Sequence, residues 1–211
     1  MATVPLILTY GDDSVEIIHV PMEPELPVQS NAFSAPALAQ QGRPVEIAGP
    51  FDGNLSNTSA TCGAREATVL AESPRKLIVD APDDMVGPAP LAIDEGDSHV
   101  EGSLNVVSLN LSTSDPTLVN RQKALVTAEV GGLQNLPPAA FPIELVMMNL
   151  TSSVIAMDKA GSTTLVQNVD QKAVDENGFY RTGFTVQGID PGAYGIAGSV
   201  NLTNAVSVPL R

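Results

Sequence analysis

The sequence predicts an all-β fold built as tandem β-sandwiches, and three observations support this. Short segments alternate apolar and polar residues with a period of two, which is typical of half-buried strands. Gly, Pro, Asp and Asn fill the intervals of about 8–15 residues between these segments, as expected of turns. The 17 glycines and 17 prolines leave no segment with convincing helical periodicity.

The first 41 residues predict an N-terminal strand segment and a proline-rich linker. Residues 4–8 and 15–20 are strand-like, and Asp12 and Asp13 lie between them as the turn of a hairpin. Residues 21–44 then carry five prolines, a density that excludes a helix or a central strand and favours an extended linker. The strand segment either completes a sheet of its own chain or adds to the sheet edge of a neighbour.

The remaining chain predicts two modules, residues 42–105 and 106–211. Residues 1–105 contain 16 of the 24 acidic residues, and residues 106–211 contain the other eight. The two halves of the chain therefore differ in surface charge. Period-two segments in the first module lie at residues 45–47, 67–70, 77–81 and 91–93. Those in the second lie at residues 107–111, 125–130, 143–148, 165–169, 180–186 and 194–202.

A specific pattern occupies residues 42–93, where a Gly-x-x-Val-x-Ile-x-Gly strand precedes a loop led by Phe51 and the stretch TCGAREA at residues 61–67. This pattern resembles the IPT/TIG domain, an immunoglobulin-like module, over about residues 42–104. In that family a Gly-Gly-x-x-Ala hairpin sets a tight turn. Here Ala64 replaces the second Gly and Cys62 occupies a position that is usually aliphatic.

Residues 106–211 resemble a second bacterial immunoglobulin-like sandwich, through DENGFY at residues 175–180 and DPGAY at residues 190–194. The two resemblances imply tandem immunoglobulin-like β-sandwiches. Such modules occur in transcription factors, receptors and bacterial surface proteins. The resemblance therefore implies an extracellular or cell-surface location, with no leader in this chain: residues 1–10 lack a basic residue and a long apolar run.

The charge balance excludes one class of partner. Ten basic and 24 acidic residues give a net charge of −14, so the chain has no electrostatic affinity for nucleic acid, and anionic membrane surfaces are disfavoured. No stretch approaches 18 consecutive apolar residues, so we expect no membrane insertion.

The residues that usually carry catalysis are scarce. His19 and His99 lie in no recognisable motif, and Cys62, the one cysteine, is interpreted as a buried structural thiol. No phosphate-binding loop, dinucleotide fingerprint or nucleophile elbow occurs. We therefore predict that the chain is not an enzyme and has no catalytic or cofactor-binding residues.

An acidic cluster is the one candidate for a metal site in the sequence. Turn carboxylates bind calcium, and the candidate ligands are Asp80, Asp83, Asp84, Asp94 and Asp97. Their spacing is not that of an EF-hand loop, so a solvated acidic end of the sandwich is favoured and no metal is predicted. The two turns that carry them lie either at opposite ends of the sandwich or, with a hairpin between them, close together.

Two functions from different classes follow. The first is a non-enzymatic immunoglobulin-like module of an extracellular or surface protein that spaces, displays or adheres, with a protein or carbohydrate partner. The second is a structural assembly subunit of a filament or virion, which forms a homo-oligomer by β-augmentation through residues 1–20. The size distribution in solution distinguishes them, because a monomer favours the first and a ladder or fibre favours the second.

Overall fold

A computed structural model of the chain describes residues 3–9, 15–21, 32–157, 162–204 and 206–211, the first two ranges as backbone only. These residues form strands and four short 3-10 helices. The all-β prediction is confirmed, since no α-helix occurs in the described ranges. None of the helices in these ranges has the length and apolar content needed to cross a membrane.

The N-terminal strands form a unit of their own. Strand β1 (Thr3–Thr9) pairs antiparallel with β2 (Val15–Pro21), with Leu6 opposite Ile18. This is the predicted hairpin, although Asp12 and Asp13, its predicted turn, lie outside the described residues, as does the linker up to residue 31. Residues 1–30 and residues 31–211 are separate compact units.

The described residues of the larger unit form eighteen strands. Those of its first half are β3 (Phe33–Pro36), β4 (Leu38–Gln40), β5 (Pro44–Ala48), β6 (Thr58–Cys62), β7 (Arg65–Ala67), β8 (Val69–Ser73), β9 (Lys76–Asp80), β10 (Gly87–Glu95) and β11 (Ser98–Thr113). Those of its second half are β12 (Thr117–Leu118), β13 (Lys123–Gly131), β14 (Ile143–Asn149), β15 (Ile155–Met157), β16 (Thr164–Val169), β17 (Tyr180–Gly188), β18 (Gly192–Ala193), β19 (Ile196–Leu202) and β20 (Ser207–Leu210).

Two sheets enclose the first hydrophobic core. One has the strand order β20-β3-β5-β9-β8, and the other is the β11-β10-β6-β7 end of a long sheet. The period-two pattern places Ile47, Leu77 and Leu91 inward, each almost fully buried. The predicted tight turn is present as the β6–β7 hairpin, where Gly63 has φ 68°, in the left-handed region that favours glycine.

The other end of the long sheet, with the order β15-β17-β13-β11, covers the second core. A three-stranded sheet with the order β16-β14-β19 packs on its opposite side. Ile143, Leu145 and Met147 of β14 alternate inward and are fully buried. This arrangement is the sandwich that the alternation in residues 143–148 predicts.

Strands β4 and β11 form a wall shared by both cores. They run parallel, with Ala39 opposite Val106. Because successive side chains of a strand point to opposite faces, Val106 packs in the first core and Val107 in the second, and both are fully buried. On β4, Ala39 likewise packs in the first core and Leu38 in the second.

The first core also draws on both ends of the larger unit. Strand β20 pairs antiparallel with β3, and Leu210 is buried in the first core. The expectation that residues 21–44 exclude a central strand is wrong for β3, which lies between β20 and β5. Proline is tolerated there because Pro36 ends its strand. The division into residues 42–105 and 106–211 stays a prediction.

Candidate functional site

The structure separates the two predicted acidic turns. Asp80 ends β9, and Asp83 and Asp84 lie on the connection that leads into β10, whereas Asp94 and Asp97 lie at or beyond the other end of β10. Since β10 has nine residues, the two groups are about 25 Å apart along the strand. The arrangement is therefore the opposite-ends alternative, and the five carboxylates do not converge on one ion.

Two of these carboxylates have cationic partners of their own. Asp84 forms an ion pair with Arg65 of the β6–β7 hairpin. Asp94 Oδ1 lies 2.6 Å from Nδ1 of His99, and Nε2 of the same ring lies 2.9 Å from Oε1 of Glu101. Hydrogen bonding to Glu101 and then to Asp94 raises the pKa of His99, so the ring is an ion-pair partner of two carboxylates.

A different carboxylate cluster is present at the β10–β11 turn. One oxygen each of Asp52, Glu72 and Glu95 lies within 4.8 Å of the others, and we call these three residues the carboxylate triad. They come from the loop after β5, from β8 and from the end of β10, so the two sheets of the first core both contribute. Within the described ranges this is the one group of three or more potential metal ligands.

The loop that carries Asp52 is fixed by packing and by hydrogen bonds. Phe51 is buried and meets Phe33 edge to face, with ring centroids 5.1 Å apart. The backbone N–H groups of Gly53 and Asn54 donate to Oε1 of Glu72 at 2.8 and 3.0 Å. The N–H of Asp52 donates to Oε1 of Glu95. The triad therefore holds this loop against both sheets.

The environments of the triad members differ. Burial raises the pKa of the Glu95 carboxyl, and the charges of Asp52 and Glu72 raise it further. Hydrogen bonds from the Asn57 side chain and the Asn54 backbone lower the pKa of Asp52, which is exposed. Oε2 of Glu72 is enclosed and has no hydrogen-bond partner among the described residues.

These donors suit a hard cation. Three carboxylates offer oxygen ligands of the kind that calcium takes, although an ion with six to eight ligands would need waters or carbonyls in addition. The enclosed Oε2 of Glu72 accepts no hydrogen bond from the described residues, and a bound cation would compensate for that missing interaction. The loop hydrogen bonds give the same residues a structural role without any ion.

Sequence reasoning found only part of the triad. Asp52 lies in the loop that Phe51 leads, and Glu95 lies in the predicted turn between Asp94 and Asp97, whereas no sequence pattern singles out Glu72. The missing information is the register, in which Thr58 pairs with Glu95 and so brings the loop beside the turn. Acidic residues flanking both of these turns are the only signal in the sequence.

The substitution Glu95→Gln is expected to stabilise the protein at pH 7 in a chelating buffer, raising Tm by about 1–3 °C. Glutamine removes one of three mutually repelling charges, and its Oε1 still accepts from the Asp52 N–H. Because the folded-state pKa of Glu95 is raised, its contribution to stability is present below the ordinary glutamate pKa and is lost as pH rises through the folded value. The gain should therefore vanish at pH 3.5, as thermal melts at both pH values would show.

Glu66→Gln serves as the matched control, since it removes an exposed carboxylate that lies outside the triad. The expectation is contradicted if Glu95→Gln lowers Tm in the chelating buffer. A triad that binds calcium would instead make wild type the more stable protein in millimolar calcium, with no such effect of magnesium.

Cys62 has the environment of a structural residue. It is 2% exposed in the first core, and burial raises the pKa of its thiol, which disfavours the nucleophilic thiolate. No hydrogen bond or ion pair joins Cys62 to a histidine in the described part of the chain. His19 lies on β2, where only the backbone is described.

A concave surface lies between strand β19 and the β3–β5 segment, and we call it the inter-core groove. Two adjoining cavities of about 450 and 600 Å³ share Pro36, Glu46 and Leu202. Strand β19 forms one side, and its Val200 N–H donates to Oε1 of Gln40 at 2.9 Å. The lining combines apolar residues such as Leu38 and Leu202 with polar residues such as Gln40.

Comparisons with known proteins show distant similarity alone. No protein-family model matches the sequence. No curated protein matches it either. Among solved structures, a structural genomics protein from Bacteroides thetaiotaomicron is 18% identical and aligns over 81% of this chain with a TM-score of 0.33.

Two further structures carry more descriptive names. The adhesin InvE of Yersinia pseudotuberculosis is 13% identical, aligns over 83% of this chain and has a TM-score of 0.29. SGBP-B of the Bacteroides ovatus mixed-linkage glucan utilization locus, solved with a mixed-linkage heptasaccharide, is 14% identical, aligns over 94% and has a TM-score of 0.34. This chain spans 40%, 56% and 59% of the three structures, respectively. At these TM-scores no residue role is transferred.

Proposed function

We propose that this chain is a non-enzymatic immunoglobulin-like module of an extracellular or surface protein, which holds two sandwiches at a fixed spacing and displays a binding surface between them. The observation that carries the proposal is the shared wall. Strand β11 runs unbroken for sixteen residues, and adjacent residues of it enter different cores. A wall common to two cores resists bending, because any hinge there would open both.

The inter-core groove is the surface that we assign to a protein or carbohydrate partner. A fixed spacing keeps its two sides, β19 and the β3–β5 segment, at a constant separation. Preorganisation of this kind reduces the entropy that binding must overcome. The few histidines and the buried thiol support the non-enzymatic part of the proposal.

Distance measurement between spin labels tests the fixed spacing. In a Cys62→Ala background, Thr61→Cys labels an exposed site on β6 of the first sandwich and Lys123→Cys labels an exposed site on β13 of the second. We expect a single distance with a width set by the labels alone. A broad or two-peaked distribution would contradict the proposal, and a pair of labels on β13 and β17 gives the reference width. An antibody against the chain should also label intact cells of the organism that makes it.

We also propose that the first sandwich is of the IPT/TIG type. Support comes from the Gly63 turn, which forms a two-residue hairpin at the position of the family's Gly-Gly-x-x-Ala pattern. The loop led by Phe51 precedes it, and the Phe51 ring is buried in the first core.

A structural assembly subunit is the second candidate, and one observation favours it. The β1–β2 hairpin is a compact unit of its own, and an isolated two-stranded hairpin is at best marginally stable in water. Pairing with a neighbouring copy would extend its sheet. Open-ended growth seen by light scattering would favour this candidate over the display module.

A further inference from the structure

Among the described strands of the larger unit, the edge strands are protected with one exception. Unpaired edges invite association with other chains, and proteins usually block them with charges, prolines, bulges or short length. Strand β7 has three residues and two charges, β8 carries Glu72 and a bulge, and β20 contains Pro209. Strand β15 has three residues, and the free side of β19 faces Gln40.

Strand β16 lacks all of these devices. Its sequence TLVQNV has six residues without a charge, a proline or a bulge, and no described strand pairs with its outer side. Asn149 N–H donates to Thr163 O, which fixes the hydrogen-bonding phase of the β14–β16 pair. By the alternation of antiparallel bonds, Val166 and Asn168 turn their N–H and C=O groups outward.

The sheet face beside this edge carries an apolar stripe that is partly exposed. Val166 is 53% exposed and Met148 is 44% exposed, with the half-buried Val146 paired to Val166 between them. In a chain with a net charge of −14, an uncharged strand beside an apolar stripe is a place where two copies can approach, because the carboxylate on this face, that of Glu144, lies one strand in from the edge beside Asn168.

We propose that two copies of this chain associate through β16, antiparallel about a twofold axis, to join their three-stranded sheets. The outward groups lie on alternate residues, so the centred arrangement places Val166 against Val166 of the second copy and Thr164 against Asn168. About six backbone hydrogen bonds form, and the two apolar stripes become continuous. The contact is small, so the dimer is weak, with Kd on the order of 10–100 µM.

Salt distinguishes a second copy from a basic partner protein. Two chains that each carry −14 repel at long range, and added salt screens that repulsion. Self-association through β16 should therefore strengthen between 0.05 and 0.5 M NaCl, while association driven by opposite charge would weaken.

Sedimentation equilibrium of the full chain from about 5 to 500 µM tests the proposal. We expect a monomer–dimer equilibrium, weakened at least tenfold by Val166→Lys, which places a charge at the edge, and by Val166→Pro, which removes an outward N–H that β14 does not use. Leu125→Lys is the matched control: it makes the same change of charge at an exposed residue of the interior strand β13, and should leave the dimer intact. Val166→Thr should also retain it.

Three outcomes overturn the proposal. One is a wild type that stays monomeric at 500 µM in 0.5 M NaCl. Another is a dimer that persists in both Val166 variants while their Tm stays within about 2 °C of wild type. The third is a ladder of larger species that survives both variants, since that would assign association to the N-terminal hairpin. Loss of the dimer in Val166→Lys with an unchanged Tm supports the proposal even if Val166→Pro fails to fold.

Discussion

Replacing Leu210 with alanine is expected to destabilise the first core by about 2–5 kcal/mol, although Leu210 is the penultimate residue of the chain. Its side chain is 4% exposed and lies against Gly102, where an added Cβ would come within 2.2 Å of Leu210 Cδ2. The strand is anchored beyond it by reciprocal backbone hydrogen bonds of 2.8 Å between Arg211 and Glu101. Truncation therefore leaves a cavity in a fixed frame, which cannot collapse to fill it.

Two measurements check this expectation: urea unfolding gives the loss of stability, and hydrogen exchange shows where in the chain it occurs. Exchange should accelerate in β9, whose Leu77 and Val79 belong to the same core. Ser207→Ala is the control, because it lies on the same strand with an exposed side chain. A loss below about 1 kcal/mol would show that β20 does not complete the first core in solution.

The substitution Gly132→Ala should cost about 3 kcal/mol or more and lower Tm by roughly 6–12 °C. Gly132 has φ 86°, and a Cβ there would lie 2.7 Å from the carbonyl oxygen of Val106 and 2.7 Å from Cγ1 of Val86. Its own carbonyl accepts a hydrogen bond from the buried Asn105 side chain. The backbone at the shared wall has to shift to make room.

Gly96→Ala separates the steric contribution from the conformational one. Gly96 also has a positive φ, 56°, but nothing lies within 4 Å of the position of its Cβ. The substitution at Gly96 should therefore cost only the conformational energy of placing alanine in the left-handed region, about 1 kcal/mol of stability. Thermal melts that show equal losses for the two variants would mean that the wall adapts to the methyl group at Gly132.

Local patterns carried most of the strand predictions. The alternation at residues 77–81 and 143–148 corresponds to β9 and β14, because one face of each strand packs on a core and the other meets solvent. The Gly63 and Gly96 turns are readable since few residues other than glycine adopt positive φ. These features depend on residues close together in the chain.

Long-range pairing was beyond the sequence. Strand β20 pairs with β3, which lies more than 170 residues upstream. The four residues SVPL contain no pattern from which this pairing could be predicted. The shared wall has the same origin: β11 reads as ordinary alternation, and its apolar residues on both faces make sense only once two cores exist. The carboxylate triad also depends on sheet register, which no local pattern encodes.

The antiparallel pairing of β3 with β20 has a mechanical consequence. Phe33 lies opposite Leu210, so the start of β3 and the end of β20 are next to each other. Tension applied between these two points would pull β3 and β20 apart from their shared end, breaking one residue pair at a time instead of shearing the whole strand pair at once. The stretch from β4 to β19, including the whole second core, lies outside that load path and would stay folded until β20 has peeled away.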